Sequence, residues 1–320
     1  MEKMKYSIII PVFKNEASIP RLLQALATIQ SKMSEELEVV FVVDGSPDQS
    51  FKLLRDSLER LDFQAQLLAH SRNFGSFPAI RTGLAAARGE YFAVMGADLQ
   101  EPPELISKFL TSLGIGECDV IVGTRNSRRD PLISRLSSNL FWKLYRTLVV
   151  KDMPEGGVDV FGCNLIFRDH LLKLEESRSS LIALIFWLGF RRKTVSYDRQ
   201  LRQEGKSAWT LNKKIEYMLD SVFAFTDYPI RLLMRIGTLG LLFGLALGAV
   251  VLMTRLTGIS AVPGYAATMI TVIILGTLNL LGIGLVGTYA WRGYENSKQR
   301  PLAIVSIRHD NRKSRNELSK

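Results

Sequence analysis

Cysteine is nearly absent. Cys118 and Cys163 are the only two in 320 residues, too few for a disulfide framework and in keeping with a reducing compartment. The amino terminus, Met1-Glu2-Lys3-Met4-Lys5, has basic character, but the apolar run after it is short and contains Pro11. A strand is expected there, not a signal peptide. No nucleic-acid-binding motif accompanies the formal charge of +10, which points instead to anionic lipid headgroups or phosphorylated substrates.

Charge is missing altogether from two long stretches, 19 residues between Arg235 and Arg255 and 36 between Arg255 and Arg292. Each is long enough to cross a hydrocarbon core of about 30 Å, so two transmembrane helices are expected, at about 232–254 and 264–291. Arg231 and Arg235 precede the first and Arg292, Lys298 and Arg300 follow the second, whereas the connecting loop carries only Arg255. Both ends are therefore expected in the cytoplasm, in a multi-pass protein of the cell membrane. Gly240-Leu241-Leu242-Phe243-Gly244 has the small-xxx-small spacing that allows helix packing or a homo-oligomer.

What is present is organised around Tyr91-Phe92-Ala93-Val94-Met95-Gly96-Ala97-Asp98-Leu99-Gln100-Glu101-Pro102-Pro103-Glu104, an apolar run that stops at a carboxylate and an amide. It reads as a buried strand, with the two prolines opening the next helix. Asp98 and Gln100 then lie beyond the carboxyl end of a parallel strand, where open α/β sheets bind ligands. Spaced i, i+2, their oxygens can share Mg²⁺ or Mn²⁺ with a substrate diphosphate. An ordinary strand-to-helix turn would use the same two residues.

Before and after this stretch, strand-like runs (6–12, 37–43, 65–69, 91–95, 119–123) alternate with helix-like segments (17–31, 47–60, 76–87, 102–112). This βαβ series implies a mostly parallel, Rossmann-like sheet. Segments follow the strand ends in order: Pro11 to Glu16, Asp44-Gly45-Ser46, His70 to Gly75, and Ala97 to Gln100.

Ile10-Pro11-Val12-Phe13-Lys14-Asn15-Glu16, Val43-Asp44-Gly45-Ser46-Pro47-Asp48, Arg72-Asn73-Phe74-Gly75 and Ala97-Asp98-Leu99-Gln100-Glu101-Pro102-Pro103-Glu104 resemble, in order and spacing, the family 2 glycosyltransferases of GT-A fold. The subgroup most similar is the polyisoprenyl-phosphate glycosyltransferases, including dolichol-phosphate mannose synthase and the bactoprenol glucosyltransferases. The resemblance implies an α/β GT-A catalytic domain with amphipathic interface helices and a C-terminal two-helix hairpin. The corresponding division is 1–130 for the nucleotide-sugar core, 131–229 for the acceptor and interface region completing the catalytic domain, 230–295 for the hairpin and 296–320 for a cytoplasmic tail. One departure is visible: the family commonly has Asp-x-Asp-x-Gln where this chain has Gly96-Ala97-Asp98-Leu99-Gln100.

Asp44 can accept from a uracil edge or a ribose hydroxyl, while the backbone at Pro11 and the Phe13 ring can frame the base. Glu16 either supports the nucleotide sugar or caps the first helix. Asn73 fits an Asn-x-Gly turn, and the resemblance adds a supporting role in nucleotide-sugar binding. Residues 132–148 and 209–225 carry amphipathic patterns suited to the membrane interface or to packing on the sheet. Arg125, Arg128, Arg129, Arg202 and Lys206 can bind phosphate or form a solvated basic collar. By resemblance, Arg129 and Ser134 are candidate acceptor-phosphate ligands, and Asp159 takes the place of the catalytic carboxylate. A polyprenyl phosphate is already ionised near neutral pH, so Asp159 is expected to orient reactants rather than abstract a proton.

The resemblance thus implies an inverting transfer of glucose from UDP-glucose onto undecaprenyl phosphate at the cytoplasmic face, close to membrane lipids. GDP-mannose and a UDP-aminoarabinose-type donor are the alternatives within the enzyme class. A processive polysaccharide synthase is disfavoured because no Gln-x-x-Arg-Trp segment is present. A non-enzymatic membrane scaffold with a degenerate fold is the alternative that Gly96 favours.

Overall fold

The computed structural model describes residues 4–33, 36–125, 142–154, 157–177, 179–200, 211–257 and 264–311. The first part alternates as its apolar runs dictate: β1 (Tyr6–Val12), α1 (Ile19–Lys32), β2 (Leu37–Val43), α2 (Ser50–Leu58), β3 (Gln64–His70), α3 (Ser76–Ala86), β4 (Tyr91–Val94), α4 (Pro103–Gly114) and β5 (Val120–Arg125). A helical segment at 142–148 (α5) follows. Next come β6 (Val160–Asn164), α6 (Leu165–Lys173), α7 (Leu181–Trp187), β7 (Arg192–Tyr197), α8 (Leu211–Phe225), α9 (Tyr228–Leu256), α10 (Tyr265–Ser297) and β8 (Val305–Asp310).

The strands form one sheet in the order β7-β5-β6-β4-β1-β2-β3-β8. Every residue of β2 is buried, as expected of a central strand covered on both faces. On one face α1 lays down Ile19, Leu22, Leu26 and Ile29, all at most 1% exposed. That three-and-four spacing makes one stripe, each such side chain contributing about 1.5–3 kcal/mol. Pro11 is tolerated in a central strand because it lies past the last β1–β4 pair, Ile9↔Val94, while its pairing with Val42 continues on the other side.

Two features depart from the alternating pattern. Strand β6 runs antiparallel between β4 and β5, bringing its leading end to the carboxyl ends of its neighbours. Residues 296–320, expected as a tail, instead contribute β8, which pairs antiparallel with β3. Just past β8, the buried Asn311 accepts from Ala65 N–H and donates to the carbonyls of Leu58 and Phe63. At the opposite end of the sheet from the site, fully buried Glu38 accepts from Ser7 Oγ at 2.9 Å and Arg88 Nε at 2.9 Å. Arg88 also reaches Asp310 of β8 at 2.9 Å.

The chain divides into two compact units, residues 1–217 with 301–320, and residues 218–300. In the second unit α9 and α10 contain stretches, Tyr228–Thr254 and Thr271–Ser297, long and apolar enough to cross a membrane. Leu239, Phe243 and Ile283 are each 66–67% exposed, unlike the side chains of a buried core helix. Within this unit Gly282 faces Leu233, whereas nothing lies within 4 Å of a Cβ built at Gly240 or Gly244. The Gly240–Gly244 spacing is therefore not what packs α9 on α10.

Candidate active site

Loops follow β1, β2, β3 and β4 at the carboxyl ends of the strands, and hydrogen bonding ties the first to the second and the second to the third. After β1, Lys14 takes a left-handed backbone, φ 56°, and its N–H donates to Ser46 Oγ at 2.8 Å. Phe13 is half-buried under Lys14 Nζ, 5.4 Å from the ring centre. Glu16 Oε2 accepts from Gln49 N–H at 2.9 Å, so its capping role falls on α2 and not on the first helix. Asp48 accepts from Ser46 Oγ at 2.6 Å and Glu16 N–H at 3.1 Å. Burial alone would raise the Asp48 carboxyl, but these bonds and those from Ser50 outweigh it and hold the group below its ordinary value.

Asp44, just past β2, is bound by the loop that follows β3. It is 2% exposed. Oδ1 accepts from His70 Nδ1 and Phe74 N–H, both at 2.8 Å, and Oδ2 from Gly75 N–H at 2.8 Å. Through these bonds it organises the 70–75 loop. Asn73 completes this arrangement, its Nδ2 donating to the Asp44 carbonyl at 3.2 Å. Gly45, at φ 58°, allows the close approach: a Cβ there would lie 2.3 Å from the Arg72 carbonyl carbon. The Asn73 side chain thus bridges two loops in addition to suiting a turn.

The acidic centre lies beyond β4. Asp98 is half-buried in a turn where Leu99 takes φ 54°, a left-handed conformation costing about 1–2 kcal/mol for a residue with a Cβ. Gln100, expected to offer its amide oxygen to a metal, is 8% exposed and gives that oxygen to the Arg199 guanidinium. Glu101 turns inward instead, 4% exposed, with Oε2 accepting from Gly96 N–H at 3.2 Å. Its carboxyl is pushed up to about 7, first by burial and then by the charges of Asp98 and Asp159, with Arg199 opposing.

Asp159 stands just before β6, and that strand's antiparallel insertion brings it beside β5 and β7. Arg125 binds it through Nε and, at 2.6 Å, through Nη2, and Tyr197 O–H donates to Oδ2 at 3.0 Å. Arg125, expected as a phosphate ligand, is therefore engaged in a two-pronged ion pair. Burial lowers its pKa, but the Asp159 bond and charge prevail and the net shift is upward. Burial, then the charges of Asp159 and Glu101, raise the Tyr197 phenol far above its ordinary value. Nearby, Gly157 sits at φ 72° with a Cβ position only 2.3 Å from the Trp142 indole. In α5, Tyr145 is fully buried and stacks on Tyr217 at 5.8 Å, so this part of the expected interface helix packs on its own unit.

Arg128, Arg129, Ser134, Arg202 and Lys206 lie outside the described residues. Among the described residues no group of three acidic, His or Cys side chains is placed to hold a metal. Two observations nevertheless suit a divalent cation carrying a diphosphate. Asp98 Oδ1 and Glu101 Oε2 converge on the space a Gly96 side chain would fill, 3.0 and 2.7 Å from its Cβ position. Arg199 Nε is buried with no hydrogen-bond partner, a donor suited to phosphate oxygen. Glu101, Tyr197 and Arg199 were not singled out by sequence reasoning. Glu101 lay inside the central stretch, and the neighbouring Gly96 was the one signal of room for it.

A mostly parallel sheet with carboxylates and guanidinium groups gathered beyond its strand ends defines an α/β protein with a polar ligand site, and similarity to known proteins narrows it. Residues 7–174 match the model of glycosyl transferase family 2. The chain is 30% identical to the uncharacterized glycosyltransferase YkcC of Bacillus subtilis over 94% of its length and 93% of that protein's. An uncharacterized glycosyltransferase of Synechocystis is 29% identical, covering 95% of each chain. Bactoprenol glucosyl transferase of Shigella phage SfV is 28% identical over 94% of this chain and 98% of its own. The chain belongs to glycosyl transferase family 2 and is a glycosyltransferase.

Proposed function

We propose that this enzyme transfers a hexose, glucose from UDP-glucose, onto undecaprenyl phosphate at the cytoplasmic face of the membrane, inverting the anomeric carbon. The observation that carries this reading is the extent of the likeness to the phage bactoprenol glucosyl transferase. It spans 94% of this chain, so it runs well past the family domain ending at residue 174 and into the two apolar helices. Connectivity supports a paired crossing. Strand β3 precedes the helices and β8 follows them, yet the two pair in one sheet, so both flanks of the helices lie on one side of any membrane they cross. The Arg and Lys residues at those flanks favour the cytoplasm.

The site suits this chemistry. A lipid phosphate brings its own ionised nucleophile, so no strong base is required. Asp159, held by Arg125 and Tyr197, is fixed to orient the acceptor or the sugar. Arg199 Nε, lacking a partner, is available to a diphosphate oxygen. Asp98 would hold Mg²⁺ or Mn²⁺, which when bound neutralises charge on the departing diphosphate.

Purified full-length protein, incubated with undecaprenyl phosphate and radiolabelled UDP-glucose, GDP-mannose or a UDP-aminoarabinose-type sugar, tests the reading. Label is expected in the lipid fraction from UDP-glucose. Label from another donor would reassign the sugar, and none from any of the three would overturn the reading.

A further inference from the structure

We propose that Glu101, and not Gln100, joins Asp98 as the second protein ligand of the divalent cation in this enzyme, replacing the side chain that position 96 lacks. The inference rests on the proposed nucleotide-diphosphate donor. Geometry carries it. A Cβ at Gly96 would lie 2.7 Å from Glu101 Oε2 and 3.0 Å from Asp98 Oδ1, so the two carboxylates share the volume of the absent side chain. Glu101 is 4% exposed, and its one hydrogen bond among the described residues comes from Gly96 N–H to Oε2. A carboxylate this buried, set beside a second carboxylate, is stabilised by a shared cation. Gln100 is withdrawn from that role because its amide oxygen is held by Arg199 and its backbone pairs with Gln200 at 2.9 Å.

Two carboxylates do not complete the coordination of Mg²⁺ or Mn²⁺, which is ordinarily finished by substrate phosphates and water. The cation should therefore bind with the nucleotide. Arg199, whose guanidinium holds the neighbouring Gln100, has in Nε a donor without a partner among the described residues.

Mn²⁺ binding to full-length protein in detergent, followed by electron paramagnetic resonance with and without UDP, tests this apart from catalysis. Wild type should bind Mn²⁺ at least tenfold more tightly with UDP present. Glu101→Gln and Asp98→Asn should each lose at least tenfold, and Gln100→Ala should stay within about threefold. Rescue guards against misfolding: Glu101→Ala vacates the space beside position 96, so Gly96→Asp with Glu101→Ala should recover Mn²⁺ binding that Glu101→Ala alone lacks. Unchanged Mn²⁺ affinity in Glu101→Gln, or a double variant no better than Glu101→Ala, overturns the inference. Lipid labelling by a wild type whose Mn²⁺ binding ignores Glu101 leaves the proposed function standing; Glu101-dependent binding without any transfer does the reverse.

Discussion

Replacing Asp44 by alanine should damage the fold before it damages ligand binding. The carboxylate receives His70 Nδ1, Phe74 N–H and Gly75 N–H, each at 2.8 Å, in a site where Asp44 is 2% exposed. Each buried donor stranded by its removal costs about 1–3 kcal/mol. Some relief comes from water entering the vacated space, which leaves roughly 3–6 kcal/mol in all. For a unit of this size 1 kcal/mol moves the melting temperature by about 2–4 °C, so a fall of at least 6 °C is expected. Asp44→Asn keeps one acceptor oxygen and should fall between alanine and wild type. The assay is thermal unfolding of full-length protein by tryptophan fluorescence, beside calorimetric titration with UDP. If Asp44→Ala melts within about 2 °C of wild type yet loses UDP affinity, Asp44 is a nucleotide contact and the structural argument is wrong.

Arg88→Ala should destabilise the protein by about 3–5 kcal/mol, because it strands the fully buried Glu38 carboxylate without its cation; Glu38→Gln in the same background should recover most of that loss in denaturant unfolding. Asp48 has a folded-state pKa below its ordinary 3.8, so its contribution is present above that value and is lost as pH falls through the folded value; Asp48→Asn should flatten this acid limb, and superimposable acid-unfolding curves would count against it. A cysteine introduced at Ser260 should react with an impermeant reagent from outside intact cells while one at Ser314 does not, and the opposite pattern would overturn the cytoplasmic assignment. Saturating chelator should abolish transfer to lipid and Asp98→Asn should do likewise; transfer unaffected by both would remove the metal from the account.

Local pattern was enough for some parts of this molecule and not for others. The expected bounds of the first two strands, 6–12 and 37–43, coincide with β1 and β2, because each is a mainly apolar run, interrupted only by Ser7, Pro11 and Glu38, and closed by turn residues. Strands β6 and β7 escaped notice. Val160-Phe161-Gly162-Cys163-Asn164 is short and carries a glycine, and Arg192 to Tyr197 has apolar residues only at Val195 and Tyr197; both are strands because of partners far along the chain. The same holds for β8, which meets β3 across more than two hundred residues. At the site, residue identity suggested Asp98 and Asp159 but not their neighbours. Asp44 and Gln100 have the right chemistry for ligands, and what redirects them is a loop at 70–75 and an arginine at 199. No spacing rule within the β2 or β4 turns contains either fact.

The central claim is that the site at the ends of β4, β5 and β6 performs transfer to a lipid phosphate. Its most direct measurement compares wild type and Asp159→Asn for the rate of glucose transfer from UDP-glucose to undecaprenyl phosphate, with UDP affinity taken on the same samples. Wild type should label the lipid. Asp159→Asn should slow transfer by about a hundredfold or more, the loss expected when a fixed charge-bearing group at the reacting centre is removed, while UDP affinity stays within about tenfold, or about 1.4 kcal/mol. Undiminished transfer by Asp159→Asn, or loss of UDP binding in step with loss of transfer, would contradict the account.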